Sequence, residues 1–138
     1  MVGQWIARPG EIFDSGACDC IEFRADGTYR YRWEGGYDNQ CYITHDGNYR
    51  IEGDKIYCTN VIENYTSYHS EYRMLRDYTD KAIEDYTLSY YFSSKNPTDQ
   101  YLEEHNPGTT WLVISLYQAG PSGASFILPD RNFVFAKY

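Results

Sequence analysis

A short motif occurs twice in this chain, first as Asp26-Gly27-Thr28-Tyr29-Arg30 and again as Asp46-Gly47-Asn48-Tyr49-Arg50. Each Asp-Gly pair stands between two runs in which apolar and polar residues alternate. Glycine accepts the positive φ of a tight turn between antiparallel strands, so an Asp-Gly pair in this setting predicts a hairpin. We therefore predict a hairpin turn at or beside each pair, in an all-β chain.

The segment after the first Asp-Gly pair has a clear period of two. Aromatic residues occupy one face of the predicted strand: Tyr29, Tyr31 and Trp33. Charged residues occupy the other face: Arg30, Arg32 and Glu34. Successive side chains of a strand point to opposite faces, and burying aromatic rings is favourable whereas burying unpaired charges is costly. The three rings are therefore predicted to face the interior.

Similar patterns predict strands along most of the chain. They cover residues 18–23, 29–33, 41–44, 49–51, 56–61, 86–92, 111–117, 125–128 and 132–138. A turn is predicted at Glu52-Gly53-Asp54-Lys55, and one helical turn within residues 99–105. Residues 63–82 fit a helical and a strand spacing equally; we favour a strand to about Tyr72, then a loop or short helix over residues 76–82.

Consecutive antiparallel strands at this spacing predict an up-and-down meander that closes into a barrel of about eight to ten strands, because closure removes exposed sheet edges. A two-sheet sandwich is the alternative. The length of 138 residues fits a single domain over residues 1–138. Sixteen tyrosines agree with a β-rich fold, since ring side chains suit a pleated, half-buried surface.

The net charge of −8 argues against binding to nucleic acid or to an anionic membrane, since both require a basic surface. No segment approaches the roughly 20 apolar residues of a membrane-spanning helix. The first residues lack a signal-peptide pattern, which predicts a cytoplasmic protein, or a secreted one if a signal peptide has been removed.

The four cysteines, Cys18, Cys20, Cys41 and Cys58, lack the paired spacing of a zinc site. We predict no metal site and no cofactor. On a strand, Cys18 and Cys20 point to the same side. Free thiols are favoured over a disulfide, which would need an oxidising compartment.

Residues near the start of the chain resemble those of a known family. Gly3-Gln4-Trp5 resembles the Gly-x-Trp signature of the lipocalin (calycin-type) superfamily, and residues 21–29 and 47–56 resemble the hairpins of small bacterial lipocalin-like domains. The likeness covers residues 1–61. It implies a barrel that holds an apolar small molecule, with Trp5 closing one end under a basic residue from near the last strand, for which Arg131 is the nearest candidate. Several barrels of this kind are cyclases, isomerases or decarboxylases.

Aromatic residues on the predicted strands are the candidates for lining a ligand cavity, because an eight-stranded barrel is just wide enough to enclose one small ligand. They are Tyr29, Tyr31, Trp33, Tyr49, Tyr90 and Trp111. The candidates for acid or base chemistry are Glu22, Glu71 and His69. His45 and His105 fall at a predicted turn and loop, where histidines are usually solvated.

The sequence is compatible with three functions, and it specifies neither the ligand nor the oligomeric state. The first is a carrier or sensor for an apolar or aromatic small molecule. The second is an enzyme acting through Tyr and Glu groups on a polyketide- or phenol-like substrate. The third is a protein-interaction domain without a cavity. An apolar cavity would favour the carrier, a buried ionisable group the enzyme, and a filled interior the interaction domain.

Overall fold

The computed structural model describes residues 1–7, 18–35, 39–69, 73–120 and 132–137. The described residues form nine strands and one short helix. Their bounds are β1 (Gly3–Ile6), β2 (Cys18–Phe23), β3 (Thr28–Gly35), β4 (Asn39–Glu52), β5 (Lys55–His69), β6 (Arg73–Ala82), β7 (Tyr86–Ser93), α1 (Gln100–His105), β8 (Trp111–Ala119) and β9 (Asn132–Lys137).

Eight of these strands close into an antiparallel barrel. Their order around the ring is β4-β3-β2-β1-β9-β8-β7-β5, and β5 pairs with β4 to complete it. The ring therefore follows the order of the chain, except that β6 is left out and pairs with β5 as one extra strand. This confirms the predicted all-β, up-and-down barrel and excludes the alternative of a two-sheet sandwich.

β5 changes its neighbour part-way along. Residues 55–58 pair with β7, whereas the pairing with β6 begins at Ile62. Between these two stretches, Asp46 of β4 pairs with Ile62 and Asn48 pairs with Thr59. Two residues of β5, Asn60 and Val61, therefore lie opposite one residue of β4. This is a β-bulge, which we call the β5 bulge, and Asn60 within it has a positive φ of 51°.

The β5 bulge changes which residues of β5 face the barrel interior. Ile56 and Cys58 are buried before the bulge, and Val61 and Glu63 are buried after it. A regular strand would have kept the even-numbered side chains inside along its whole length. The extra residue reverses this alternation, and as a result it carries the carboxyl group of Glu63 into the core.

The predicted turn at Asp26-Gly27 is confirmed, since the pair lies between β2 and β3 and Gly27 has a φ of 85°. The prediction for Asp46-Gly47 is wrong, because the pair lies within the continuous strand β4. A Cβ atom on Gly47 would lie 2.8 Å from the carbonyl oxygen of Thr59. Glycine is needed there for the close approach of the bulged strand rather than for a turn.

The chain reverses instead at the other predicted turn, Glu52-Gly53-Asp54-Lys55, where Gly53 has a φ of 59°. The predicted loop or short helix over residues 76–82 is also wrong, because β6 occupies residues 73–82. Two register shifts interrupt its pairing with β5, which obscures the period of two in the sequence. The helical turn within residues 99–105 is confirmed as α1. The predicted strand at residues 125–128 lies outside the described residues.

The described strands bury two hydrophobic clusters. The larger one fills the barrel and includes Trp5, Phe23, Ile56, Leu112 and Phe135. The smaller one consists of Leu102 of α1 with Trp111, Val113, Val134 and Ala136. Because Trp111 and Val113 alternate with Leu112 and Ile114 on β8, the smaller cluster lies on the outer face of the barrel wall, under α1.

Trp5 is buried, as the resemblance implies, and its indole nitrogen donates a hydrogen bond to the carbonyl oxygen of Met1 at 2.8 Å. A basic residue of the last strand lies against it. The Nζ atom of Lys137 is 4.9 Å from the centre of a Trp5 ring, within the range of a cation–π contact. Arg131, the residue suggested for this place, lies outside the described residues.

Candidate functional site

Four polar side chains form a continuous chain of hydrogen bonds inside the barrel. Nε2 of His45 lies 2.6 Å from Oε2 of Glu63, and Nδ1 of His45 lies 2.9 Å from the hydroxyl of Tyr86. The Tyr86 hydroxyl lies 2.6 Å from the hydroxyl of Tyr29. We call Glu63, His45, Tyr86 and Tyr29 the buried polar chain. His45 is 0% exposed and Glu63 is 2% exposed, so the chain is sealed from solvent in the barrel.

Strand pairing places these side chains side by side. Tyr31 of β3 pairs with His45 of β4, and His45 pairs with Glu63 of β5. Directly paired residues of antiparallel strands point to the same face, so all three side chains enter the interior together. Tyr86 arrives from the other side of β5, at the start of β7, where it pairs with Cys58. The β5 bulge is what gives Glu63 the same direction as His45.

The hydrogen bonds of the chain are consistent with a neutral imidazole and an ionised carboxylate. In that state Nε2–H of His45 donates to Glu63, and Nδ1 accepts the hydroxyl proton of Tyr86. The Tyr86 oxygen in turn accepts from Tyr29. A carboxylate that orients a histidine whose other nitrogen accepts from a hydroxyl is the arrangement used for acid and base chemistry in many unrelated enzymes.

Burial keeps the hydroxyl and thiol groups around the chain neutral. Burial raises the pKa of Tyr29 and of Tyr86 well above the ordinary value for a phenol. It also raises the pKa of Tyr31, and so does the carboxylate of Asp19, to which Tyr31 donates a hydrogen bond of 2.7 Å. Burial raises the pKa of the Cys58 thiol to about 12. These groups are therefore donors at neutral pH rather than anions.

A small pocket lies against this chain. Seven side chains line it, of which five are aliphatic or phenylalanine and two are tyrosine: Ile21, Tyr31, Tyr86, Leu88, Ile114, Phe133 and Phe135. Its volume is about 10 Å³, which is room for about one water molecule. Tyr86 belongs both to the lining of this pocket and to the buried polar chain, and so connects the two.

The structure brings together only part of the predicted ligand-binding set. Tyr29 and Tyr31 are fully inside the barrel. Trp33, Tyr49 and Tyr90 are half-buried at the margin of the interior cluster. The Tyr49 hydroxyl donates to the carbonyl oxygen of Arg24 and the Tyr90 hydroxyl to that of Gly53. Trp111 is buried on the outer face, away from the pocket. Of the six, Tyr31 alone lines the pocket described above.

The predicted acid and base candidates do not meet at this site. Glu22 forms an ion pair of 2.9 Å with Arg24, and its side chain is one-third exposed. His69 is the last residue of β5, and its side chain lies outside the described part of the structure. Glu71 also lies outside it. The groups that do meet, His45, Glu63 and Tyr86, are ones that the sequence did not single out.

The described ranges contain no group of three or more His, Cys, Asp or Glu side chains placed to hold a metal ion. Cys58 carries a free thiol, and Sγ of Cys20 accepts a hydrogen bond from Arg32. Of the helical segments that the structure describes, none has the length and apolar character needed to cross a membrane.

No protein-family model, no curated protein and no solved structure matches this chain. The function is therefore inferred from the geometry of the pocket and of the buried polar chain.

Proposed function

We propose that the barrel binds a small apolar or aromatic molecule at the pocket beside Tyr86, as a carrier or sensor. The observation that carries this proposal is the composition of the pocket. Its lining is apolar apart from the side chains of two tyrosines, Tyr31 and Tyr86, and an apolar lining with a few polar groups is typical of small-molecule sites. A ligand that carries one oxygen or nitrogen and reaches either hydroxyl would be oriented by it.

The size of the pocket limits what can bind. A volume of about 10 Å³ does not hold a ring, so a ligand must displace a side chain. Phe133 is half-buried, whereas the other six lining residues are buried. Phe133 is therefore the lining residue that moves with the smallest loss of packing. We expect a flat ligand to take the place of the Phe133 ring.

Titration with N-phenylnaphthylamine, an apolar dye that fluoresces on burial, tests the proposal. We expect the wild-type protein to bind one dye molecule, and Leu88→Trp to weaken binding at least tenfold by filling the pocket. Tyr91→Trp, on the exposed part of the same strand, is the matched control and should leave the affinity unchanged. Binding by Phe133→Ala but not by the wild-type protein would mean that the pocket is ordinary core, and would favour the interaction domain instead.

A second candidate is an enzyme in the same barrel, of the cyclase, isomerase or decarboxylase type, acting on a polyketide- or phenol-like molecule. The buried polar chain favours it, because ionisable groups are rarely buried without a partner or a function. Tyr86 lines the pocket together with Phe135 and Leu88, and its hydroxyl is hydrogen-bonded to His45. A ligand in the pocket would therefore contact a side chain whose hydroxyl is already hydrogen-bonded to a base.

Membership of the lipocalin superfamily is also a proposal. It is supported by the closed antiparallel barrel and by Trp5, which is buried near the start of the chain with Lys137 of the last strand over its ring. A cytoplasmic location stays a prediction from the sequence.

A further inference from the structure

The buried polar chain can be hydrogen-bonded in two directions. With a neutral imidazole, protons point from Tyr29 to Tyr86, from Tyr86 to Nδ1 of His45, and from Nε2 to Glu63. With an imidazolium, both ring nitrogens donate, so Nδ1–H points to the Tyr86 oxygen instead. The distances of 2.6, 2.9 and 2.6 Å suit hydrogen bonds of either direction. An added proton gives the buried polar chain four donor hydrogens for three hydrogen bonds, so one hydroxyl proton must then point to an acceptor outside it, which an anionic ligand beside Tyr86 would supply.

We propose that a molecule bound in the pocket gives a proton to the Tyr86 hydroxyl, and that Tyr86 gives its own proton to His45. Glu63 orients His45 for this transfer. This inference rests on the proposed binding function. It adds a substrate class: a flat molecule with an acidic proton, either a phenolic O–H or a C–H next to a carbonyl group. Tyr86 is the member of the buried polar chain that also lines the pocket, so it is the member that a ligand touches.

The step balances without a further reactant. The bond between the substrate's oxygen or carbon and its proton breaks, and the proton bonds to the Tyr86 oxygen. At the same time the original hydroxyl proton of Tyr86 moves to Nδ1 of His45. The substrate keeps the electron pair and becomes an anion, and His45 becomes an imidazolium beside the Glu63 carboxylate. Return of the proton to another atom of the substrate completes an isomerisation.

This relay explains how a phenol that resists ionisation can take part. Tyr86 receives one proton while it gives up another, so it is neutral before and after the step. The positive charge that results lies on His45, whose Nε2–H is 2.6 Å from Glu63. A buried opposite charge at hydrogen-bond distance stabilises an imidazolium strongly. Glu63 is therefore a positioning residue that acts through His45.

The position of Glu63 has a structural cost. The β5 bulge that directs Glu63 inward requires a positive φ at Asn60 and a glycine at position 47. Val61 precedes Glu63 on the same face and packs in the apolar cluster, so an apolar residue at position 63 would extend that cluster. The fold instead buries a carboxyl group opposite a histidine. Bulges commonly re-aim side chains next to functional sites.

The test uses para-nitrophenol, a flat phenol whose ionised form absorbs at longer wavelength. Equilibrium dialysis measures its binding, and the absorption spectrum of the bound fraction measures its ionisation, at a pH below the pKa of the free compound. For the wild-type protein we expect a phenolate-to-phenol ratio about tenfold higher in the bound than in the free compound. Glu63→Gln and Tyr86→Phe should still bind it but lose this increase. Tyr57→Phe, on the outer face of β5, is the matched control and should keep it.

The possible outcomes separate the two proposals. If the wild-type protein does not bind para-nitrophenol, the binding function and the proton relay are both overturned. If it binds the compound without increasing its ionisation, only the relay is overturned. Increased ionisation that survives in both Glu63→Gln and Tyr86→Phe also overturns the relay.

A measurement on the wild-type protein guards against variants that fail to fold. Nitrogen-15 spectra of the ring nitrogens of His45 distinguish a neutral imidazole from an imidazolium. We expect the neutral form protonated at Nε2 in the free protein, and the imidazolium after para-nitrophenol is added. A ring that stays neutral when the compound is bound would contradict the relay, whatever the variants do.

Discussion

The two copies of the Asp-Gly motif look alike in the sequence and differ in the fold. In the first copy, Asp26 accepts hydrogen bonds from the backbone N–H and the hydroxyl of Thr28, and so stabilises its own turn. In the second copy, Asp46 lies within a strand and binds Arg30, a member of the first copy, at 2.6 Å. The aspartate of the motif thus stabilises a local turn in the first copy and forms a contact between strands in the second.

The two glycines also differ in what they provide. Gly27 supplies a positive φ of 85°, and the nearest atom to a Cβ placed there is 3.9 Å away. Gly47 has no such φ, but a Cβ there would meet the Thr59 oxygen at 2.8 Å and the Tyr29 ring at 3.1 Å. Position 27 requires glycine for its backbone conformation, whereas position 47 requires glycine because there is no space for a side chain. The difference teaches that an Asp-Gly pair makes a hairpin only where the residues on its two sides pair with each other.

The largest effect should come from shifting the alternation that follows the β5 bulge. Insertion of one alanine between Val61 and Ile62 would turn Ile62 inward and Glu63 outward, and leave His45 without its carboxylate. We expect a loss of about 3–5 kcal/mol in the free energy of unfolding, measured by denaturant titration. An insertion variant with wild-type stability would show that the inward direction of Glu63 does not contribute to stability.

Filling the space at the second glycine should be the next most severe change. Gly47→Val places a branched side chain against the backbone of β5, and we expect a loss of about 3 kcal/mol from overpacking. Asn48→Val, at the neighbouring exposed position, is the control and should change stability by less than about 0.5 kcal/mol. Equal effects of the two substitutions would contradict the crowding at Gly47.

The first glycine should be less sensitive, since only its backbone conformation is at stake. Gly27→Val should cost about 1–2 kcal/mol, because a β-branched residue is strained at positive φ. Gly27→Asn should cost less, since asparagine tolerates this conformation better than other residues with a side chain. If Gly27→Val destabilised the protein more than Gly47→Val, the comparison between the two glycines would be reversed.

The smallest change should be a gain. Asn60 has a positive φ of 51° and an exposed side chain, so Asn60→Gly relieves strain without removing a buried contact. We expect an increase of about 0.5 kcal/mol in the free energy of unfolding, measured by thermal and denaturant unfolding. A loss of stability would instead indicate that the asparagine side chain contributes to the bulge.

Much of the fold could be predicted because the strands of the barrel pair mainly with their neighbours in the chain. The inward direction of Tyr29, Tyr31 and Trp33 followed from a strict alternation, and the buried rings of Tyr29 and Tyr31 confirm it. The strand β6 was missed, because two register shifts in its pairing with β5 break the period on which such predictions depend. A bulge is set by contacts between strands, which the sequence of one strand does not contain.

The site was missed for the same reason. The sequence places His45 at a solvated turn because Asp46-Gly47 follows it, and this prediction is wrong because the chain does not reverse there and His45 is buried. If inward and outward positions are alternated from Ile56, Glu63 falls on an outward position. Only the bulge brings its side chain inside. One signal was available: the apolar residues Ile56 and Cys58 occupy even positions, whereas the apolar Val61 occupies an odd one. An apolar pattern that changes parity within a strand is typical of a bulge.

The position of β9 has a consequence for how the barrel forms. β9 lies between β1 and β8, pairing with Ile6 on one side and with Leu112 on the other, and it follows every other strand of the ring in the chain. During synthesis, a sheet that already contains β1 to β8 therefore has two unpaired edges until β9 leaves the ribosome. Contacts this distant in sequence form slowly, and open edges attract other chains. The nascent barrel is thus most exposed to aggregation just before its last strand arrives.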